Sequence, residues 1–305
     1  MKMMRVLVVG ATGSLGGKVV KELLTRGKQV RALVRPGSDA SSLEAQGVEI
    51  VRGDLTLPET LAPALNGMDA LITTAIGYSG RRRGDSLSSV DDHGNRNLVD
   101  AAAKAKLRLF VFTSILAADR ALDVPHFHQK KLVEDYLKEK QVPFVSLRPG
   151  GFLDTLLTAE AVRKGTIRTM ISPDASASTI LSEDVARALV MALDHEQAHG
   201  QIIDLGAKPS VSIGQLAALL SKELKREIKT STPPPWLAKL LFSFIGLFNP
   251  MVKGLAPSVR FVESGSYVAD LTRQEQVFGP APSIEDSLKR WIIREGLSYE
   301  GGNRP

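Results

Sequence analysis

No cysteine occurs among the 305 residues. Disulfides, thiolate metal sites and a cysteine nucleophile are thereby excluded, and the absence fits a reducing compartment. Aromatic residues make up only 5%, and no basic helix is interleaved with them. The net charge of +6 therefore lacks the footprint of a nucleic-acid binder and suits an anionic small molecule instead. Long apolar runs are scarce too. The longest, about 236–255, is interrupted by Lys239, Pro250 and Lys253, and its unbroken part is too short to span a bilayer. It reads as an amphipathic segment that covers a pocket or meets a protein partner or a second copy, rather than as a membrane anchor. The opening MKMMRVLVVG reads as a core strand, not a signal peptide, because a glycine turn follows the apolar run at once. A cytoplasmic location is expected.

What is present is an alternation of two periods. β-rich runs stand at 6–9, 30–34, 48–51, 70–75, 109–113 and 144–147, with helical spacing such as Leu15, Val19, Val20, Leu23 and Leu24 between them. Strands separated by crossovers predict an α/β fold, a doubly wound parallel sheet of the Rossmann kind. The unbroken apolar character of the runs agrees, since such strands are covered on both faces. After Arg148-Pro149-Gly150 the pattern loosens. Helices are expected over 182–194, 212–224 and 283–294, a strand over 201–205, and a hard break at Pro233-Pro234-Pro235. The expected organisation is a nucleotide-binding domain over 1–150, completed by about 180–205, and a smaller, discontinuous C-terminal lobe, mainly substrate-binding, over 151–305. Ligands of such sheets sit outside the carboxyl ends of the strands, so residues just after each strand are the candidates.

The first such place reads GATGSLGG, from Gly10 to Gly17. Gly10, Gly13 and Gly16 follow a strand and open a helix, the context in which a glycine turn brings backbone N–H groups to a diphosphate. Thr12, Ser14 and Leu15 complete the predicted cofactor turn. A dinucleotide is the expected cofactor. NAD binders usually end the second strand in Asp or Glu, but here it ends Val34-Arg35. A guanidinium grips a 2′-phosphate that an acid would repel, so NADP(H) is favoured over NAD(H). Asp54 and Leu55 after the third strand are expected near adenine, although Asp54 also suits a turn. Thr74 and Ala75 after the fourth strand and Ser114 after the fifth are expected beside the cofactor. Ile76 and Phe152 are expected to border the substrate. Arg81, Arg82 and Arg83 read as a solvated loop, and His195 with His199 as solvated side chains rather than a metal site; no metal is expected.

These residues carry a family resemblance over almost the whole chain. GATGSLG, the ALVR strand end, DDHGNRNLVDAA, LRPGGF at 147–152, ILSEDVARAL at 180–189 and ADLTRQEQVFGPAPSIEDSLKRW at 269–291 resemble the atypical short-chain dehydrogenases/reductases, their NmrA-like branch in particular. The resemblance implies NADP-type cofactors, a C-terminal substrate lobe and a catalytic Ser, Tyr and Lys. This chain departs from that set. The Ser position is Ile115, the Tyr position is His126, and the Asn that supports the set is Asp91. Lys130 remains, expected to hydrogen-bond the nicotinamide ribose. His126 is the candidate replacement acid, since an unperturbed imidazole titrates near neutrality. The expected function is an NADP(H)-dependent oxidoreductase for a small carbonyl, quinone or enone. The alternatives are a catalytically silent NADP(H)-binding regulator, redox sensor or assembly factor, and a sugar-nucleotide epimerase or dehydratase.

Overall fold

The computed structural model describes residues 3–77, 84–234 and 250–297. The aliphatic runs form strands β1 (Arg5–Val9), β2 (Gln29–Val34), β3 (Glu49–Arg52), β4 (Ala70–Thr73), β5 (Leu109–Thr113) and β6 (Phe144–Pro149). A seventh strand, Ile202–Leu205, joins them in the order Ile202–Leu205, β6, β5, β4, β1, β2, β3. The pairings from β3 across to β6 are parallel. The last follows suit: Ser146 N–H donates to the carbonyl of Gln201, and Gly150 N–H to that of Leu205. The order reverses between β1 and β4, and a crevice forms at the carboxyl ends of such neighbours. Val9 is in register with both Leu33 and Thr73, so Gly10, Val34 and Thr74 come abreast there.

Helix α1 (Ser14–Thr25) buries Leu15, Val19, Val20 and Leu23 of the predicted stripe, and Gly16 beside them, while Leu24 is only partly buried. The chain divides into two compact units. The first comprises Met1–Arg148, Ser182–Asp204 and Gln276–Phe278. Its core packs Leu7, Leu71, Leu98, Phe110, Phe112 and Val133 about the sheet. The second comprises Pro149–Leu181, Leu205–Glu275 and Gly279–Pro305. Its core gathers Leu153, Leu181, Leu216, Leu220, Leu288 and Trp291. Ser212 and Ser283 cap helices Ile213–Leu224 and Ile284–Arg294, accepting from the N–H groups of Gln215 and Asp286. Two short parallel strand pairs, Lys229–Ser231 with Thr166–Arg168 and Gly151–Phe152 with Thr179–Ile180, also lie in this unit.

Two features of the first unit matter below. Leu87–Gly94 is π-helical and runs into the α-helix Asn95–Lys104. The fully buried Asn95 amide donates to the carbonyls of Val90 and Asp91 at the end of the wider turn. β6 contributes Arg148, whose Nε and Nη2 reach the two oxygens of the fully buried Glu134. Ser146 donates to Glu134 as well, and Arg148 Nη1 pairs with Asp119. Among the described residues no helix is long and apolar enough to cross a membrane. Arg81–Arg83 and most of the 236–255 run lie outside the described residues.

Candidate functional site

The crevice between β1 and β4 is built from glycine outward. Gly10 has φ +85°, and a Cβ there would stand 2.7 Å from Thr74 Oγ1. The Thr74 hydroxyl donates to the carbonyl of Val9, fastening the end of β4 to the turn. A Cβ on Gly16 would lie 2.0 Å from the carbonyl oxygen of Gly10, and one on Gly13 would lie 3.1 Å from the same atom. Only glycine lets α1 begin so close to the strand. No side chain caps the N-terminus of α1. Thr12 and Ser14 are exposed at the turn while Leu15 faces the core. The result is a cradle that any Cβ would fill, faced by first-turn N–H groups without side-chain partners. It fits a diphosphate.

Arg35 stands just past β2, where the sequence puts it, but it is engaged. Its Nη1 donates to both oxygens of Asp85, at 3.0 and 2.8 Å. Beside it, Arg52 Nη1 donates to the carbonyls of Arg35 and Ser38. Asp54 closes a turn, accepting from the N–H and hydroxyl of Thr56. The Leu55 side chain lies in the core of the first unit, and its carbonyl accepts from Asn97.

Lys130, on helix Pro125–Glu139, is 5% exposed rather than solvated. Its ammonium lies 3.3 Å from Asp91 Oδ1, 3.5 Å from the carbonyl of Ala75 and 5.1 Å from the Phe112 ring centroid. Asp91 is fully buried, and its other oxygen accepts the Gly77 N–H at 2.7 Å. The π-helical stretch thus delivers a carboxylate to the only member of the expected catalytic set that the sequence retains. An ammonium has three donors, and among the described residues only the Ala75 carbonyl accepts from it, so N–H donors are left for a ligand. The buried hydroxyls of Thr113 and Ser114, at the end of β5, have no hydrogen-bond partner among the described residues. Ile76 is exposed after β4. In the second unit, Phe152 is half-buried and pairs with Ile180.

His126 shares this neighbourhood. Burial is the main cause that lowers its pKa to about 4; Lys130 lowers it further and Asp91 opposes. The imidazole is therefore uncharged at pH 7 and is not the poised acid that the sequence suggested. The unfolded chain takes up this proton below about pH 6.5, whereas the fold resists it until about pH 4. The stability contributed by the neutral ring is full above about pH 6.5 and is lost as the pH falls toward 4, by about 3 kcal/mol. An NMR titration of the five histidines should find one ring that stays neutral down to about pH 5, missing in His126→Phe. A His126 midpoint near 6.5 would contradict this.

Asp85 has no role at the site in the sequence reading, and Asp91 enters it only as the residue at the supporting Asn position, not as the partner of Lys130. Each lies far along the chain from the cation it holds, and no spacing rule links them. His195 and His199 are not freely solvated: the His195 ring meets Phe278 edge-on, and His199 Nε2 is buried. Among the described residues no group of acidic or imidazole side chains could hold a metal.

Residues 2–283 match the model of the NmrA-like family. The photosystem II assembly factor Ycf39 of Trieres chinensis is 30% identical over 248 residues, 81% of this chain and 77% of that protein. Quinone oxidoreductase 2 of Escherichia coli strain K12 is 25% identical over 290 residues, 93% of this chain and 97% of that protein. Among solved structures, the Citrobacter sp. triphenylmethane reductase complexed with NADP(H) superposes with a TM-score of 0.77 at 22% identity, covering 94% of this chain and 99% of that one. The last likeness is one of fold.

Proposed function

The chain belongs to the NmrA-like family, and on that footing we propose that it binds NADP(H) in the β1–α1 cradle and works as a nucleotide-dependent assembly factor rather than as a general reductase. The observation that carries the proposal is the pairing of a complete diphosphate cradle with an incomplete acid–base set. Gly10, Gly13 and Gly16 leave room for a diphosphate. Yet Ile115 and His126 replace the hydroxyl pair of short-chain enzymes, and the His126 ring is held neutral, its pKa near 4. Relatives named as photosystem II assembly factors, at 28–30% identity over most of the chain, support the same reading. In it, α1 and Arg35 bind the phosphates, Thr74 and Ala75 flank the nucleotide, and Lys130 turns a remaining N–H to a ribose hydroxyl while its ion pair with Asp91 holds it in place. The partner would be a protein complex under construction.

A second reading is kept by one specific relative, the quinone oxidoreductase of Escherichia coli. NADPH held in the cradle would supply hydride chemistry, and a quinone would take its protons from water, so that reading needs no protein acid. Calorimetry with NADPH and NADH, followed by absorbance assays of NADPH loss with quinones, aldehydes and enones, separates the two. The expected result is NADPH binding, preferred over NADH by about tenfold or more, with no turnover across the panel. Turnover that is lost in Lys130→Met would replace the assembly-factor reading by the reductase one.

A further inference from the structure

Arg35 is the expected reader of a 2′-phosphate, and a carboxylate of this chain already sits on it. We propose that Asp85 is a built-in competitor for the 2′-phosphate, so that NADP(H) binds only by displacing it, and that this residue sets the cofactor selectivity of the site. The proposal rests on the NADP(H) reading above and adds the element that regulates it.

The geometry has three parts. First, Asp85 meets a single nitrogen of Arg35, since Nη1 alone bridges both carboxylate oxygens. Among the described residues no hydrogen bond engages Nε or Nη2 of Arg35, and the parallel two-nitrogen fork is the stronger arrangement for an oxyanion. The pair is thus side-on and replaceable, and the better edge of the guanidinium is left for a phosphate.

Second, the two anions cannot share the cation at no cost. A dianionic phosphoryl group on the other edge of Arg35 would lie within a few ångströms of the Asp85 carboxylate, where like charges strongly disfavour one another. The Asp85 side chain is only 13% exposed, so water screens that repulsion poorly. Arg52 donates its Nη1 to the carbonyls of Arg35 and Ser38 and, among the described residues, makes no hydrogen bond to Asp85. Binding of the phosphate therefore favours departure of the carboxylate. A ribose 2′-hydroxyl brings no charge and makes no such demand.

Third, Asp85 is fixed from behind. Gly77 has no side chain, and a Cβ there would come 2.3 Å from the carbonyl oxygen of Ser86. Ser86 in turn caps the π-helical stretch: its hydroxyl accepts the Ser89 N–H, and Ser89 Oγ accepts the Ser86 N–H. The carboxylate is therefore presented by an ordered turn and not by a free side chain on a loop. Asp85 immediately precedes Ser86, the cap of the π-helical stretch that carries Asp91, the partner of Lys130. Release of Asp85 at the adenosine end thus acts on the segment that anchors Lys130.

The test measures NADPH and NADH affinity by calorimetry on the full chain, for the wild type, Asp85→Asn, Asp85→Ser and Arg35→Ala. The serine variant serves if the asparagine variant does not fold. Loss of the competing charge is expected to tighten NADPH by about tenfold and to leave NADH within about twofold. Arg35→Ala is expected to weaken NADPH selectively. If NADPH affinity is unchanged or weaker without the Asp85 carboxylate while Arg35→Ala still weakens it, the competitor role is overturned and the cofactor reading stands. If NADH weakens instead, Asp85 is a ribose acceptor and the proposal is equally overturned. If the folded wild type binds neither nucleotide, both readings fall together.

Discussion

Gly16→Ala is expected to lower NADPH affinity by at least about a hundredfold while the protein stays folded. A Cβ at this position would lie 2.0 Å from the carbonyl oxygen of Gly10, 2.6 Å from its carbon and 2.9 Å from the Ala11 Cα. All three are backbone atoms, so no side chain can swing aside. The start of α1 must move away from β1 by on the order of 1 Å. That shift misaims the N–H groups that face the diphosphate. Each charge-assisted hydrogen bond is worth about 1.5–3 kcal/mol, so losing two accounts for the hundredfold. Gly17→Ala is the control. Its Cβ would meet nothing closer than 3.8 Å, and alanine favours the helix, so binding should stay within about twofold of wild type. Calorimetry with circular dichroism on both variants checks the pair. A Gly16→Ala protein that binds NADPH normally would remove the cradle from the argument.

Glu134→Ala is expected to cost about 3–5 kcal/mol of stability. Glu134 is fully buried and serves three donors: Arg148 Nε, Arg148 Nη2 and the Ser146 hydroxyl. Without it, Ser146 is stranded in the core and Arg148 keeps only Asp119, whose side chain is 43% exposed. Most of the cost is the buried guanidinium left with one half-exposed partner, not the worth of the ion pair itself. The double variant Glu134→Met, Arg148→Met should therefore recover much of the loss. Urea unfolding of the two proteins measures this. If the double variant is less stable than Glu134→Ala, uncompensated charge is not the cause.

The parallel sheet was legible because its strands are continuous aliphatic runs between helices of clear period, and the glycine turn because its context repeats a known physical need. Lys130 was singled out through the family resemblance, but its burial was not legible. The ammonium is buried because Asp91 arrives from a π-helical stretch, and no pattern in DDHGNRNLV distinguishes that turn from an α-helix. Arg35 was placed correctly along the chain, yet its engagement with Asp85 joins residues 50 positions apart. His126 suggested a neutral-range acid on the free imidazole value, and only the packing around it reveals the depressed one. The short strand pairs of the second unit have two or three residues each, too few to show an alternation.

The first unit also has a consequence for biosynthesis. Its seventh strand and the helix Ser182–Met191, which packs on α1, are encoded after a stretch that belongs to the other unit. Until the ribosome has delivered Asp204, β6 presents an unpaired backbone edge and α1 an uncovered flank. The nascent chain must spend that interval with a sticky margin exposed, and a chaperone that shields strand edges would be needed most at that moment.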